Sequence, residues 1–219
     1  MIRLENLSKT FVLEGRRKVV LENVTMEFRS GLSVALLGRN GAGKSTLLQM
    51  IAGNLSPTSG RILSTGTISW PVGFAGSFHP ELSGAQNTRF IARIYGVDTD
   101  ELVRFVENFA GLGQHFHLPF RSYSAGMRSR LAFGVSMGIP FDTYLVDEVT
   151  SVGDANFKAK SAALFKARMQ TAGAFVVSHS MRMVRDLCQA GAVLENGRMH
   201  YYEDIETAIA HHEANLTSS

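Results

Sequence analysis

Gly38-Arg39-Asn40-Gly41-Ala42-Gly43-Lys44-Ser45 decides the reading of this chain. The octet satisfies the pattern G-x-x-x-x-G-K-[ST], and its surroundings suit it. Before it, Leu32-Ser33-Val34-Ala35-Leu36-Leu37 has the length and apolar character of a buried strand. After it, Lys44 to Ala52 places Leu47, Leu48 and Ile51 on one helical face, and Gly53 ends the helix. Glycines let a chain curl until successive N–H groups converge on phosphate oxygens, and the helix starting near Lys44 adds its positive end. The stretch Gly38, Arg39, Asn40, Gly41, Ala42, Gly43, Lys44, Ser45 and Thr46 is therefore expected to bind a nucleotide. Lys44 sets a flexible cation against the β and γ phosphates, and Ser45 offers a hydroxyl to Mg2+.

A second segment completes the chemistry. Thr143-Tyr144-Leu145-Val146-Asp147-Glu148 reads as an apolar strand that ends in two acids. Asp147 is placed to hold Mg2+, and Glu148 to polarise an attacking water. A carboxylate beside a metal is stabilised as an anion, whereas its neighbour can accept a proton. His179 follows the predicted strand Ala174 to Val177 and is a candidate for the γ-phosphate, although a lone histidine there is equally a structural residue. His115 with His117 and His211 with His212 lack metal-ligand spacing.

The 219 residues suit one domain with an inserted lobe, and 45% hydrophobic residues supply a core. A net charge of +3 is too slight to point to nucleic acid, and no aromatic-interleaved basic pattern is present, so nucleic acid is not an expected partner. Arg16, Arg17 and Lys18 form the one dense basic run and read as a solvated hairpin tip. With Cys188 alone, neither an internal disulfide nor a cysteine metal cluster can form, which suits a reducing cytoplasm. No signal-peptide run opens the sequence, and no stretch approaches 18 consecutive apolar residues, so a transport pore would belong to another chain.

Residues 1–30 read as short strands with a turn near Glu14 to Lys18, and residues 60–75 as short strands again. Ser83 to Gln86 has the spacing of a capping box and predicts a helix to about Tyr95. A second helix is expected from Thr99, with Leu102, Phe105, Val106 and Phe109 on one face, and a third from Ser124 to Met137. Beyond them come a helix over Ala155 to Gln170, a helix over Met181 to Cys188, a hairpin at Asn196-Gly197 and a tail helix over Asp204 to His212. The fold class expected is α/β. It comprises a P-loop NTPase core with an N-terminal antiparallel β subdomain and an inserted helical lobe. The whole chain, 1–219, is expected to be a single domain, with the core at about 1–83 and 139–219 and the lobe at about 84–138.

In this order the motifs resemble the ATPase subunit of ABC transporters over essentially the whole chain. Tyr123-Ser124-Ala125-Gly126-Met127 resembles the family signature Leu-Ser-Gly-Gly-Gln, with Ser124 and Gly126 matching strictly; on its own Ser124 is a helix cap. Ser151-Val152-Gly153-Asp154 falls at the D-loop, normally Ser-Ala-Leu-Asp, where Asp154 matches and Gly153 departs. Phe11 falls where an aromatic residue stacks on adenine, and is otherwise a core or edge phenylalanine. His179 matches the switch histidine. The family's metal-sensing glutamine has no counterpart, since residues 61–85 contain none. The resemblance implies an ATPase using ATP and Mg2+, working as two copies head to tail. Ser124, Ala125, Gly126 and Met127 of one copy would then act in trans on the nucleotide held by Lys44, Ser45, Asp147, Glu148 and His179 of the other.

Ser69-Trp70-Pro71 and the run Gly76-Ser77-Phe78-His79-Pro80-Glu81-Leu82-Ser83-Gly84 are similar to the ATPases of capsular polysaccharide exporters. That resemblance implies a lipid-linked polysaccharide cargo and a separate polytopic permease, contacted through the Trp70 to Pro80 region. It also implies a peripheral location on the cytoplasmic face of a bacterial inner membrane. Apolar residues of that region are read either as contact or as core. Related O-antigen exporters often carry an added C-terminal glycan-binding domain, so an end at Ser219 is expected to mark the short capsule-export form. The alternatives are export of another lipid-linked glycan, such as O-antigen or teichoic acid, and a soluble ABC-type ATPase outside transport.

Overall fold

The computed structural model describes residues 1–147 and 154–217. Strands in chain order are β1 (Ile2–Leu13), β2 (Arg16–Phe28), β3 (Ser33–Leu37), β4 (Ser59–Ser64), β5 (Ile68–Pro71), β6 (Thr143–Asp147), β7 (Gly173–Val177), β8 (Ala190–Glu195) and β9 (Arg198–Tyr202). Helices are α1 (Lys44–Ile51), α2 (Gly84–Tyr95), α3 (Thr99–Ala110), α4 (Ala125–Gly138), α5 (Ala155–Met169), α6 (Met181–Leu187) and α7 (Ile205–Thr217). The chain forms two compact units. The first joins Met1–Pro71, Phe141–Glu148 and Met169–Ser219; the second joins Val72–Pro140 and Val149–Arg168.

The first unit holds two sheets. The larger runs β5-β6-β7-β3-β8-β9, parallel except for the antiparallel edge strand β9. Every residue of β3 and β7 is buried. A parallel strand covered on both faces carries an unbroken apolar run, which is why Val34 to Leu37 shows no alternation. Asn196 and Gly197, at φ 48° and 78°, make the tight β8–β9 turn.

The smaller sheet runs β2-β1-β4 and is antiparallel. Its first two strands were expected to be short, but they span 12 and 13 residues. Register shifts between Leu4 and Leu7 and again around Lys9 mark bulges, and Asn6 and Asn23 take left-handed φ of 48° and 50°. Each inserted residue swaps the face of every following side chain, so one continuous strand looks like several fragments in the sequence. Glu14 and Gly15, at φ 49° and 76°, supply the two-residue hairpin loop.

Between the sheets, Phe28 meets Phe175 edge-on at 4.9 Å and Tyr201 at 5.6 Å. Leu47 and Leu48 of α1 join this core fully buried. Cys188 is buried too, and burial pushes its thiol pKa up to about 12, so it is a packed, inert thiol. The tail helix, expected to end near His212, continues to Thr217; Asn215 Nδ2 donates to Glu195 Oε2 at 2.7 Å and ties that last stretch to β8.

The second unit is helical. The capping box is present: Gln86 N donates to Ser83 Oγ at 3.1 Å and Ser83 N to Gln86 Oε1 at 2.8 Å. On α3 the buried face is Leu102, Val103, Val106, Phe109 and Ala110, with Phe105 only half-buried and stacked on Phe109. Phe109 also packs against Phe133 of α4 and Phe157 of α5, at 5.8 and 5.3 Å. Short 3-10 turns at Gly113–His117 and Phe120–Ser122, unassigned in the sequence, link α3 to α4. Among the described residues no helix is long and apolar enough to cross a membrane.

Asp142 fastens β5 to β6. Its Oδ2 accepts from Thr67 N at 2.7 Å and Thr67 Oγ1 at 2.9 Å, and these bonds, the backbone one foremost, hold its carboxyl below the usual carboxylate range. A depressed folded pKa contributes stability that is complete above the unfolded pKa and is lost as pH falls through the folded one. Urea midpoints measured from pH 7 down to pH 3 should therefore fall in the native chain. Asp142→Asn should begin lower at pH 7 and fall less steeply; parallel curves would refute this.

Candidate functional site

The loop between β3 and α1 turns on glycines. Gly38 has φ 149°, and a Cβ there would sit 2.6 Å from the carbonyl oxygen of Leu194 on β8. Gly43 has φ 109°, and its Cβ would fall 2.1 Å from Cγ1 of Val20 on β2. Both φ values lie where L side chains are strained, so these two positions exclude other residues by backbone conformation and by space together. Gly43 is also the N-cap of α1, with no side-chain cap and no acidic residue in the first turn. The first N–H groups of the helix are thus left without a capping side chain, and they carry the positive end of its dipole.

Lys44 Nζ donates to Gly38 O at 2.7 Å and to Arg39 O at 3.0 Å. The cation is folded back over its own loop and held by carbonyls, whose bonds an anionic phosphate can replace with stronger, charge-assisted ones. Ala42 N donates to Arg39 O at 3.1 Å and closes the loop's inner turn. Ser45 Oγ donates to Asp147 Oδ1 at 3.2 Å, which brings the first turn of α1 to the end of β6. Asp147 lies within β6, paired with Val177 of β7, and His179 follows β7 by two residues.

These elements enclose a cavity of ≈ 510 Å³. Of the residues expected to bind nucleotide, Phe11, Asn40, Gly41, Gly43, Lys44, Ser45 and Thr46 line it, together with His179. Gly38, Arg39 and Ala42 shape the loop without lining the cavity, and Asp147 reaches it through Ser45. Glu148 lies outside the described residues. Lys18, Val20 and Val177 also line the cavity, and the sequence reading did not anticipate them. A signal for Lys18 was available. The Glu14-Gly15 turn sets a register in which Lys18 faces Phe11 across the hairpin.

Ser45 and Asp147 offer two hard oxygen donors within hydrogen-bonding distance of each other. Mg2+ uses one or two protein ligands and completes its shell with phosphate and water, so this pair fits Mg2+ arriving with a triphosphate. Among the described residues no three His, Cys, Asp or Glu side chains gather as a metal centre. The Lys44 charge is felt by His212 of α7 as well. Burial first, and that charge second, push the imidazole pKa below its ordinary value and favour the neutral ring.

In the second unit Ser124 caps α4, accepting from Met127 N at 3.3 Å, with Ala125 and Gly126 opening the helix. Asp154 accepts from Phe157 N at 2.9 Å and from Arg130 at 2.8 Å; these bonds hold its carboxyl below the usual range, the backbone one more than the Arg130 one. Residues 151–153 of the expected D-loop are outside the described set. Where the family places its glutamine, Gly73 N donates to Ser136 Oγ at 3.4 Å. Phe78 is buried against Phe120 at 5.1 Å, whereas Phe74 is half exposed.

Residues 21–151 match the family model described as ABC transporter. The chain belongs to the ABC transporter family. It is 48% identical over 212 residues to the polysialic acid transport ATP-binding protein KpsT of Escherichia coli, covering 95% of each chain. It is 40% identical to the capsule polysaccharide export ATP-binding protein CtrD of Neisseria meningitidis serogroup B, covering 98% of this chain and 99% of that protein. Among solved structures, the dimeric post-hydrolysis state of the ATP-binding cassette MJ0796 bound to ADP and Pi superposes with a TM-score of 0.73. It is 22% identical and covers 91% of this chain and 98% of that one, a likeness of fold. The α/β cassette fold of this ABC chain thus agrees with the expectation from its motifs.

Gly43→Ala should lower ATP affinity by about tenfold or more, given the strain of a left-handed non-glycine residue at the loop. Adding Val20→Ala relieves the contact with Cγ1 but not the φ of 109°, so affinity should recover only in part. Calorimetric titration of the three chains distinguishes these outcomes; full recovery would show that space alone selects glycine.

Proposed function

We propose that this chain is the ATP-hydrolysing subunit of an exporter that drives capsular polysaccharide across the bacterial inner membrane. One observation carries the ATPase half: Lys44, Ser45 and His179 line a single cavity at an uncapped helix N-terminus, with Asp147 bonded to Ser45. The cargo half is supported by identities of 48% and 40%, over nearly full length, to polysialic acid and capsule polysaccharide transport proteins.

In this reading the adenine stacks on Phe11 and the triphosphate follows the loop, taking N–H bonds from Asn40 to Thr46. Lys44 exchanges the carbonyls of Gly38 and Arg39 for β and γ oxygens. Ser45 and Asp147 hold Mg2+, which neutralises charge on the phosphates. Glu148 accepts a proton from the attacking water, and His179 bonds the γ-phosphate side. Two copies pair head to tail, and Ser124, Ala125, Gly126 and Met127 of each close over the other's nucleotide, with Asp154 at the join. The pair sits on the cytoplasmic face of the membrane beneath a separate polytopic permease that carries the lipid-linked polymer.

Purified with its permease, the chain should release phosphate from ATP. Lys44→Ala should abolish binding measured by calorimetry. Glu148→Gln should keep ATP affinity while slowing turnover by about a hundredfold or more, the range for loss of a general base. Unchanged turnover in Glu148→Gln would remove it as the base.

The permease contact is assigned to the Trp70 to Pro80 region, and within it to Phe74, exposed at 51%, rather than to Phe78, exposed at 7%. Phe74→Glu should leave ATP binding and melting temperature intact while removing stimulation of ATPase by the permease. Phe78→Glu should instead lower the melting temperature, because it buries a charge beside Phe120. Retained stimulation in Phe74→Glu would move the contact elsewhere.

A further inference from the structure

Lys18 was read in the sequence as part of a solvated basic tip, with Arg16 and Arg17. Its side chain is exposed, as that reading expects, but it also holds a defined place in the fold. It stands on β2 directly opposite Phe11 of β1, and directly opposed side chains of an antiparallel pair share one face of the sheet. It lines the same cavity as Phe11, Lys44 and Ser45. Its Nζ lies 3.7 Å from the position that a Cβ on Gly41 would occupy, so the ammonium hangs at the rim of the phosphate loop. Its ammonium makes no hydrogen bond or ion pair with any described residue.

We propose that Lys18 is a second phosphate-binding cation of the nucleotide site, contributed by the N-terminal hairpin rather than by the loop itself. The assignment rests on the nucleotide reading given above and adds to it. Lys18 is flanked by two landmarks of the ligand: the aromatic ring that would take the base, and the turn that would take the phosphates. An ammonium beside the loop offers the phosphate chain a charge-assisted contact in addition to the loop's N–H groups. The ligand class is therefore a nucleoside di- or triphosphate, gripped between Lys44 and Lys18. Its cross-strand pairing also links ligand charge to the hairpin, since a phosphate bound by Lys18 pulls on the strand that carries Val20 against Gly43.

The test uses the full chain and calorimetric titration with ATP and with ADP, at about 50 mM and about 500 mM NaCl, a span over which exposed charge interactions are screened. Lys18→Met keeps the apolar stem and removes the charge; Lys18→Arg restores it. We expect Lys18→Met to raise the Kd for both nucleotides about five- to tenfold at low salt, with the gap to the native chain closing to within about twofold at high salt, and Lys18→Arg to stay within about twofold of native. Melting temperatures of the free chains should coincide. Native affinity in Lys18→Met at low salt would overturn the assignment, as would a loss of equal size at both salt concentrations, which would mark a packing role. A native chain that binds neither nucleotide would sink the nucleotide reading itself, an outcome distinct from these because it does not depend on Lys18.

Discussion

The site depends on a length of backbone held where no side chain fits. Between the end of β3 and the first turn of α1, Gly38 lies against the Leu194 carbonyl and Gly43 against Val20. One neighbour belongs to the parallel sheet and the other to the antiparallel one. The loop is therefore clamped between the two sheets of its unit, and that clamp gives it one shape. With Gly43 as N-cap and no capping side chain, the opening N–H groups of α1 have no partner within the helix. Such groups seek acceptors, and a polyanion supplies them at the positive end of the dipole.

Charge is arranged around this clamp in a way that favours a phosphorylated ligand. Lys44 is drawn onto the Gly38 and Arg39 carbonyls, and the Lys18 ammonium lies beside Gly41 of the same loop. The Asp147 carboxylate accepts from the Ser45 hydroxyl, which sets two hard oxygens side by side for a metal. Neutral His212 avoids a further positive charge near Lys44, where repulsion and burial both oppose it. The chain belongs to the ABC transporter family, and two relatives similar to it over nearly full length are by name a transport and a capsule-export ATP-binding protein.

The strand order β5-β6-β7-β3-β8 explains how distant segments reach one place. β7 lies between β6 and β3, so the end of β6 with Asp147 and His179, two residues beyond β7, emerge at the same edge as the loop after β3. Ligands of open parallel sheets bind at the carboxyl ends of their strands for this reason. The helical unit is stabilised separately, by its own aromatic cluster of Phe109, Phe133 and Phe157 and by caps at Ser83, Asp98 and Ser124.

The amino-acid sequence by itself determined the phosphate loop, the acid at the end of β6, the capping box of α2 and the Asn196-Gly197 turn. Each is a local constraint, in which a few neighbouring residues meet a conformational or hydrogen-bonding demand with little help from the rest of the chain. It misjudged β1 and β2, because bulges at Asn6 and Asn23 erase the alternation by which strands are recognised. It left Phe78 open between contact and core, because an apolar residue in a loop carries no mark of which way it faces. Only the tertiary structure decided that Lys18, Val20 and Val177 share a cavity with Lys44. Cross-strand register and strand order bring those residues together from far apart in the chain, and both are outcomes of packing the sheets around Phe28 rather than of any short stretch of sequence.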